Sequence, residues 1–423
     1  MYHRCKKILT ALLCTALALC LSGCASSVLL SDAGGTAAAP SATFQPIEIN
    51  TVIPAAPEED TPSEEPAADE GLSGTDAQIQ ALLAGMTLEE KVSQMFFVSF
   101  DCLTGLTDSN IAGDVTRQAL QDFPVGGVAL FAGNIDDPEQ LSALTEGLQT
   151  LSDDITGLPL LISLDEEGGT VTRIAQNSAF GITDVGPMSA IGSTGDTDTA
   201  YEAGSFIGSY LAQYGFNMDF APDADVLTNP ENTVIGSRSF GSDAQLVSAM
   251  AQAYYNGLAS QGIHGCLKHF PGHGATAADT HDGMSYTDKT LDELMQNELI
   301  PFIDGIEYGA DSIMVAHISL PSVTGDYTPA SLSPDIVTGL LREELGYDGL
   351  ILTDALNMGA VADYYTPGQA AVAAVQAGAD MLLFSDDALD ARQAVLDAVN
   401  DDTISEQRID ESVTRILRLK LGL

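Results

Sequence analysis

Eight short apolar runs recur along the chain, at 96–100, 126–131, 158–165, 216–226, 265–270, 311–320, 349–356 and 379–386. Each is rich in Val, Ile, Leu or Phe and lacks the alternation of a strand with one wet face. Unbroken runs of this length read as parallel strands buried on both faces. Parallel strands need crossovers, and helix signals lie between the runs. Thr87 and Glu90 have the spacing of a capping box ahead of "LEEKVSQM", and Thr290 and Glu293 repeat it. Ser333-Pro334 and Thr366-Pro367 each set an N-cap residue before a proline at the first helical position. Eight strands alternating with helices predict an α/β fold, a single (β/α)8 TIM-type barrel. A doubly wound sheet expects a glycine-rich fingerprint after its first strand, and "FFVSFDCLTG" is not one.

The segment ahead of the barrel has a different character. Arg4, Lys6 and Lys7 precede an apolar stretch at 8–19 that is too short for a comfortable membrane span. It ends in Leu21-Ser22-Gly23-Cys24, which resembles a bacterial lipobox. The expectation is a signal peptide at 1–23, cut before Cys24, whose thiol carries lipid. Residues 24–75 are mostly Ala, Pro, Ser, Thr and acids, with too few large apolar side chains to offset ordering entropy. They are expected to form a disordered acidic linker of about 50 residues, averaging roughly 40 Å end to end. The folded catalytic domain is then expected over 76–423. A chain built this way is exported and tethered to the outer face of the cytoplasmic membrane, like other bacterial lipoproteins.

Charge narrows the partners. Fifteen Lys+Arg stand against 60 Asp+Glu, a formal charge of -45. Nucleic acid and anionic membrane surfaces would be repelled, so contact with a membrane is expected only through the lipid anchor. Beyond the leader and Cys24, the cysteines are Cys102 and Cys266, whose spacing does not demand a disulfide.

In a barrel, chemistry sits where strands end. The third run ends in Asp165-Glu166-Glu167, the fourth carries Asp219, Asp223 and Asp225, and the fifth ends in Lys268-His269. The sixth holds His317, the seventh ends in Thr353-Asp354, and the eighth in Ser385-Asp386-Asp387. One such acid could be a helix N-cap. So many polar ends on otherwise apolar strands are better explained by a pocket rim. Three of the six histidines fall in "KHFPGHGATAADTH", 268–281. Pro271, Gly272 and Gly274 exclude a regular helix there, so the end of this stretch reads as a mobile flap carrying Asp279 and His281. An Asp two residues from a His can orient the imidazole and raise its basicity, a plausible proton shuttle.

"LDEEGGTVTR" (164–173), "VIGSRSFG" (234–241), "KHFPGHGATAADTH" and "LILTDALNM" (350–358) together resemble glycoside hydrolase family 3, and within it the β-N-acetylglucosaminidase (β-hexosaminidase) subgroup. The likeness runs from about residue 86 to the end. The resemblance implies a retaining mechanism with Asp354 as nucleophile, His281 as acid/base and Asp279 as its partner. It implies that Asp165, Arg173, Arg238, Lys268 and His269 bind sugar hydroxyls, and that His273 braces the loop. Two positions depart from the family pattern: Thr170, where Arg is usual, and Ala275, where Asp is frequent. Larger members add a second α/β domain. The sequence stops at Leu423, so the pocket is expected to be completed by barrel loops.

The expected activity is exo-cleavage of terminal β-linked N-acetylglucosamine from cell-wall fragments or other glycans, without cofactor or metal. A phosphorylase of the same fold and a non-catalytic sugar-binding lipoprotein are the alternatives. A metal-dependent barrel hydrolase would want a His-x-His after the first strand, and "SFDCL" has no histidine.

Overall fold

Every apolar run contributes to one ring of parallel backbone. The computed structural model describes residues 74–422 apart from Ala278 and Asp282. The expected signal peptide, the Cys24 thiol and the linker up to residue 73 lie outside the described residues.

Strand β1 (Phe96–Ser99) pairs in parallel with β2 (Gly127–Ala129), which pairs with β3 (Leu161–Ser163). On the far side β4 (Cys266–Phe270) pairs with β6 (Ser312–Val315), and β6 with β8 (Leu350–Thr353). Strand β9 (Leu382–Leu383) closes back on β1, and a Leu352–Met381 bridge joins it to β8. The run at 216–226 fills the remaining gap without forming a regular strand. Phe220 N donates to Leu164 O at 3.0 Å on one side, and Cys266 N to Ala221 O at 2.7 Å on the other. Pro222 interrupts this stretch because it has no N–H for the ladder. A two-stranded addition, β5 (Ser285–Tyr286) with β7 (Ile318–Ser319), stands on the rim.

The ring is a packed core rather than a pore. Phe97 and Phe220 are buried and meet edge to face at 5.1 Å. Burial of side chains of this size stabilises by about 1.5–3 kcal/mol each.

The local helix signals hold where they are short-range. Thr87 and Glu90 form both bonds of the capping box at the helix Leu88–Gln94, and Thr290 with Glu293 does the same at Leu291–Met295. Thr366 caps Pro367–Ala377. The Ser333-Pro334 start differs. No side-chain cap forms there, and Asp335–Glu344 is wound as a π-helix, closed by Leu345 N to Leu340 O at 2.9 Å.

Two outer helices, Thr197–Gln213 and Ala244–Ala259, approach closely at Gly204 and Gly257. A Cβ on Gly204 would lie 2.1 Å from the Tyr254 carbonyl oxygen, so only glycine fits. That approach sets Tyr210 and Tyr254 over the end of β3. No helix among the described residues is long and apolar enough to cross a membrane.

Candidate active site

The third strand delivers three consecutive acids with three different tasks. Glu166 is wholly buried and turns inward. Its carboxylate accepts from the N–H groups of Arg173, Ile174 and Ala175 and from the Tyr210 hydroxyl at 2.8 Å. It shapes the loop rather than facing a ligand. Glu167 is also buried and binds two cations. Arg238 grips it with two bonds of 2.8 Å, and the Lys268 ammonium lies 2.6 Å away. Burial opposes its charge, but Arg238 and Lys268 prevail and hold the carboxyl far below the usual range. Asp165, the first of the three, is partly exposed. It accepts from Lys268 at 2.9 Å and from Arg173 at 3.3 Å. Arg173 in turn lies over the Phe131 ring.

The acids of the fourth run were expected on the rim. All three are fully buried beneath it, because this segment carries its polar side chains into the ring. Asp225 accepts from His269 Nδ1 at 2.8 Å and from the His273 N–H. Burial raises the pKa of Asp219 and Asp223 well above the ordinary range. One oxygen of each finds no hydrogen-bond partner. Asp223, Asp225 and His269 place ligand atoms within 4.8 Å of one another, which could admit a metal ion. The Arg238 guanidinium speaks against that use, because it already stands as the cation of this group, 3.6 Å from Asp223 and 3.4 Å from His269 Nε2.

Asp354 follows β8, and its loop is held from three sides. Asp354 N donates to Val315 O at 2.8 Å. Leu356 N and Asn357 N donate to the carbonyls of Leu383 and Phe384. The Ala355 carbonyl accepts from His317 Nε2 at 2.9 Å. A carbonyl only accepts, so His317 carries its proton on Nε2 and, when neutral, takes the Ser331 hydroxyl on Nδ1 at 2.7 Å. Burial lowers the His317 pKa, which favours that neutral form. Phe384 sits at φ 45°, a strained value for a bulky residue, directly beside this loop. Burial opposes the Asp354 charge. The neighbouring His317 and His269, the Ala355 N–H at 2.7 Å and the Lys268 ammonium outweigh it, so its pKa lies below the usual aspartate value.

The flap reaches the same loop. Ala360 N donates to Thr280 O at 3.0 Å and Gly359 N to His281 O at 3.3 Å. His273 braces it from below, with Nε2 3.2 Å from the Thr280 hydroxyl and Nδ1 3.2 Å from that of Thr276. At the tip, Asp279 Oδ1 lies 2.7 Å from His281 Nδ1 and also accepts the His281 N–H. The His281 side chain is 65% exposed, so the ring can reach a ligand above the pocket. Burial works against the Asp279 charge, but the hydrogen bonds and charge of His281 together outweigh it and lower its pKa. It is therefore an anion able to stabilise an imidazolium.

The predicted residues thus gather at one end of the ring, with qualifications. Arg238, partly buried, and Lys268, fully buried, are held by acids rather than presented freely. In the eighth run, Asp387 caps the helix Ala388–Asn400. Sequence reasoning did not assign Glu166, Glu167 or Asp225 their tasks. Cys102 and Cys266 are both free. A cleft of about 570 Å³ lined by His264, Asp311 and Arg415 lies at the opposite end of the strands, apart from this cluster.

A parallel α/β barrel with an aspartate, a histidine flap and a cation–carboxylate floor at its strand ends has the layout of a barrel hydrolase. Residues 87–419 match the model of the glycosyl hydrolase family 3 N-terminal domain, and the chain belongs to that family. It is 34% identical over 331 residues to beta-hexosaminidase A of Pseudoalteromonas piscicida, covering 72% of this chain and 55% of that protein. It is 37% identical over 276 residues to a beta-hexosaminidase of Chromobacterium violaceum, covering 64% and 74%. A family 3 beta-N-acetylglucosaminidase structure from Paenibacillus sp. str. FPU-7 superposes with a TM-score of 0.75 at 41% identity, covering 79% of this chain and 62% of that one. The chain therefore spans little more than half the length of some relatives and about three quarters of others.

Proposed function

We propose that the chain is an exo-acting retaining β-N-acetylglucosaminidase. Asp354 attacks the anomeric carbon while protonated His281 gives its Nε2 proton to the departing glycosidic oxygen. The glycosyl–Asp354 ester then forms as the old bond breaks. Neutral His281 next takes a proton from water, the hydroxide adds to the anomeric carbon, and Asp354 leaves as carboxylate. Asp279 holds the imidazole through Nδ1 in both steps. Most retaining glycosidases place a second carboxylic acid about 5–5.5 Å from the first. Here the histidine takes that place. Asp165, Arg173 and His269 bound the space for the sugar's hydroxyls, with Lys268 and Arg238 behind them.

The single observation that carries this reading is the backbone union of the flap with the loop of Asp354, through Thr280–Ala360 and His281–Gly359. It brings acid/base and nucleophile to one pocket. The named activities of the relatives support the choice of sugar. The test is release of phenol from an aryl β-N-acetylglucosaminide. Activity should vanish in Asp354→Ala, and a 2-fluoro sugar should add its mass to Asp354 in the wild type. Sugar phosphate as the product in phosphate buffer would identify a phosphorylase instead.

We also read the chain as a lipoprotein, with residues 1–23 as signal, Cys24 lipidated and 24–75 as a tether for the domain at 76–423. Lipobox chemistry supports this. Replacement of Cys24 by Ser should move the protein from the membrane fraction to the soluble one and abolish labelling by a fatty-acid probe.

A further inference from the structure

The chain has no Trp, 14 Phe and 12 Tyr, and among the described residues few of those rings are exposed. Two that are, Tyr286 at 49% and Tyr327 at 42%, pack against each other. Their centroids are 5.5 Å apart and the planes meet at 88°. Isolated exposed rings are ordinary; a pair locked at a right angle on a pocket rim is a preformed apolar corner.

Both rings grow from the same anchor. Tyr286 is the end of β5, opposite Ser319 in β7. The Tyr327 carbonyl accepts from the buried Ser319 hydroxyl at 2.8 Å, and Pro329 bridges to Ser319 as well. Ser319 lies two residues beyond His317, which pins the Ala355 carbonyl beside Asp354. In the other direction, Tyr286 lies five residues beyond His281 at the foot of the flap. The corner is thus tied to the nucleophile's frame on one side and to the acid/base on the other.

That position identifies what meets it. An acid must reach the oxygen of the leaving group, so the leaving group passes His281. In an exo-acting enzyme the terminal sugar fills the closed end and the rest of the glycan leaves over the rim. β-Linked pyranose rings carry axial C–H groups on their faces, and these pack on the electron-rich face of a phenol ring. A rigid corner loses little entropy when it does so.

The geometry points to Tyr286 and Tyr327 as a stacking platform for the leaving-group sugars of a β-1,4-linked N-acetylhexosamine chain. This rests on the hydrolase reading above. The platform makes the enzyme favour oligomers over simple glycosides.

The experiment compares KM and kcat of the wild type, Tyr286→Ala, Tyr327→Ala, Tyr286→Phe and Tyr201→Ala. Substrates are a phenyl β-N-acetylglucosaminide, chito-oligosaccharides of two to six units, and alternating N-acetylglucosamine–N-acetylmuramic acid oligomers. Each alanine variant should raise KM for the longer oligomers by about tenfold, with kcat and the phenyl glycoside little changed. Tyr286→Phe keeps the ring and should match the wild type, as should Tyr201→Ala, which removes an exposed ring on an outer helix. The series that shows the length effect names the source, chitin fragments or wall glycan. A wild type with no length preference, or alanine variants that affect all substrates equally, overturns the platform. If the wild type cleaves none of these glycosides, the hydrolase reading fails instead. Calorimetric titration of Asp354→Asn with the same oligomers then decides the platform separately, and equal affinity in its Tyr286→Ala double variant overturns it.

Discussion

Glu167 is the anion around which the buried cations of the pocket are organised, and its neighbours show how unequal buried acids can be. It faces Arg238 and Lys268, and removing its charge leaves the buried Lys268 and the partly buried Arg238 without their shared partner. Glu167→Gln should cost about 3–5 kcal/mol in urea denaturation at neutral pH. Asp219 is the opposite case: burial raises its pKa well above the ordinary range and so favours the neutral carboxyl, and one oxygen is unsatisfied. Asp219→Asn keeps an acceptor for the Glu166 N–H and should change stability by less than about 1 kcal/mol. The same logic sets a pH dependence. Asp354 and Asp279 are both held below the usual aspartate pKa, so both stay ionised as pH falls through about 4. The acid limb of kcat/KM should therefore lie below that value when initial rates are taken before unfolding. Glu167, also depressed, adds stability that is complete above its unfolded pKa and is lost as pH falls through its folded one. Loss of fold and loss of activity should accordingly converge at low pH.

At the scale of elements, two backbone hydrogen bonds tie the flap to the loop after β8. The N–H of Ala360 makes one of the two bonds, and Ala360 lies in the first turn of Gly359–Ala362. Proline is tolerated at that point of a helix because its missing N–H is not used within the helix. Ala360→Pro should thus leave the melting temperature nearly unchanged while lowering kcat about tenfold or more on a natural leaving group. A parallel fall in melting temperature and activity would show instead that the bond serves the fold alone. The capping boxes at Thr87 and Thr290 and the N-cap at Thr366 were legible beforehand because each cap acts on residues close by in the sequence; the Gln369 side chain that completes a box at Thr366 came from the structure. The π-helix at Asp335–Glu344 was not, because a widened turn answers to what packs on it.

For the molecule as a whole, closure is secured at the end away from the chemistry. Asp380, buried just before β9, is met by Arg342, Arg408 and Arg415, with Ser412 at 2.8 Å and the Ile351 N–H at 3.0 Å. Arg408 and Arg415 belong to the last helix, Glu406–Leu421, so a single acid joins that helix to β8 and β9. Three of only fifteen basic residues gather here. Asp380→Ala should lose about 3 kcal/mol by leaving three partly buried guanidiniums without their shared anion, read by chemical denaturation. The folded fraction should keep its KM, since the pocket is at the other end.

The alternation of apolar runs with helix signals determined the barrel from the sequence alone, since burial on both faces is written into consecutive residues. The pairing of Asp279 with His281, two residues apart, was legible for the same reason. Tertiary structure alone decided the tasks of Glu166 and Glu167, the one shaping the loop and the other holding Arg238 and Lys268. Glu167 meets Arg238 across 71 residues, and Asp165 meets Lys268 across 103. It also decided that the acids of 219–225 lie beneath the rim and that His317 steadies Asp354. A side chain's chemistry depends on its burial and on the charge beside it, and neither is a property of neighbours in the chain.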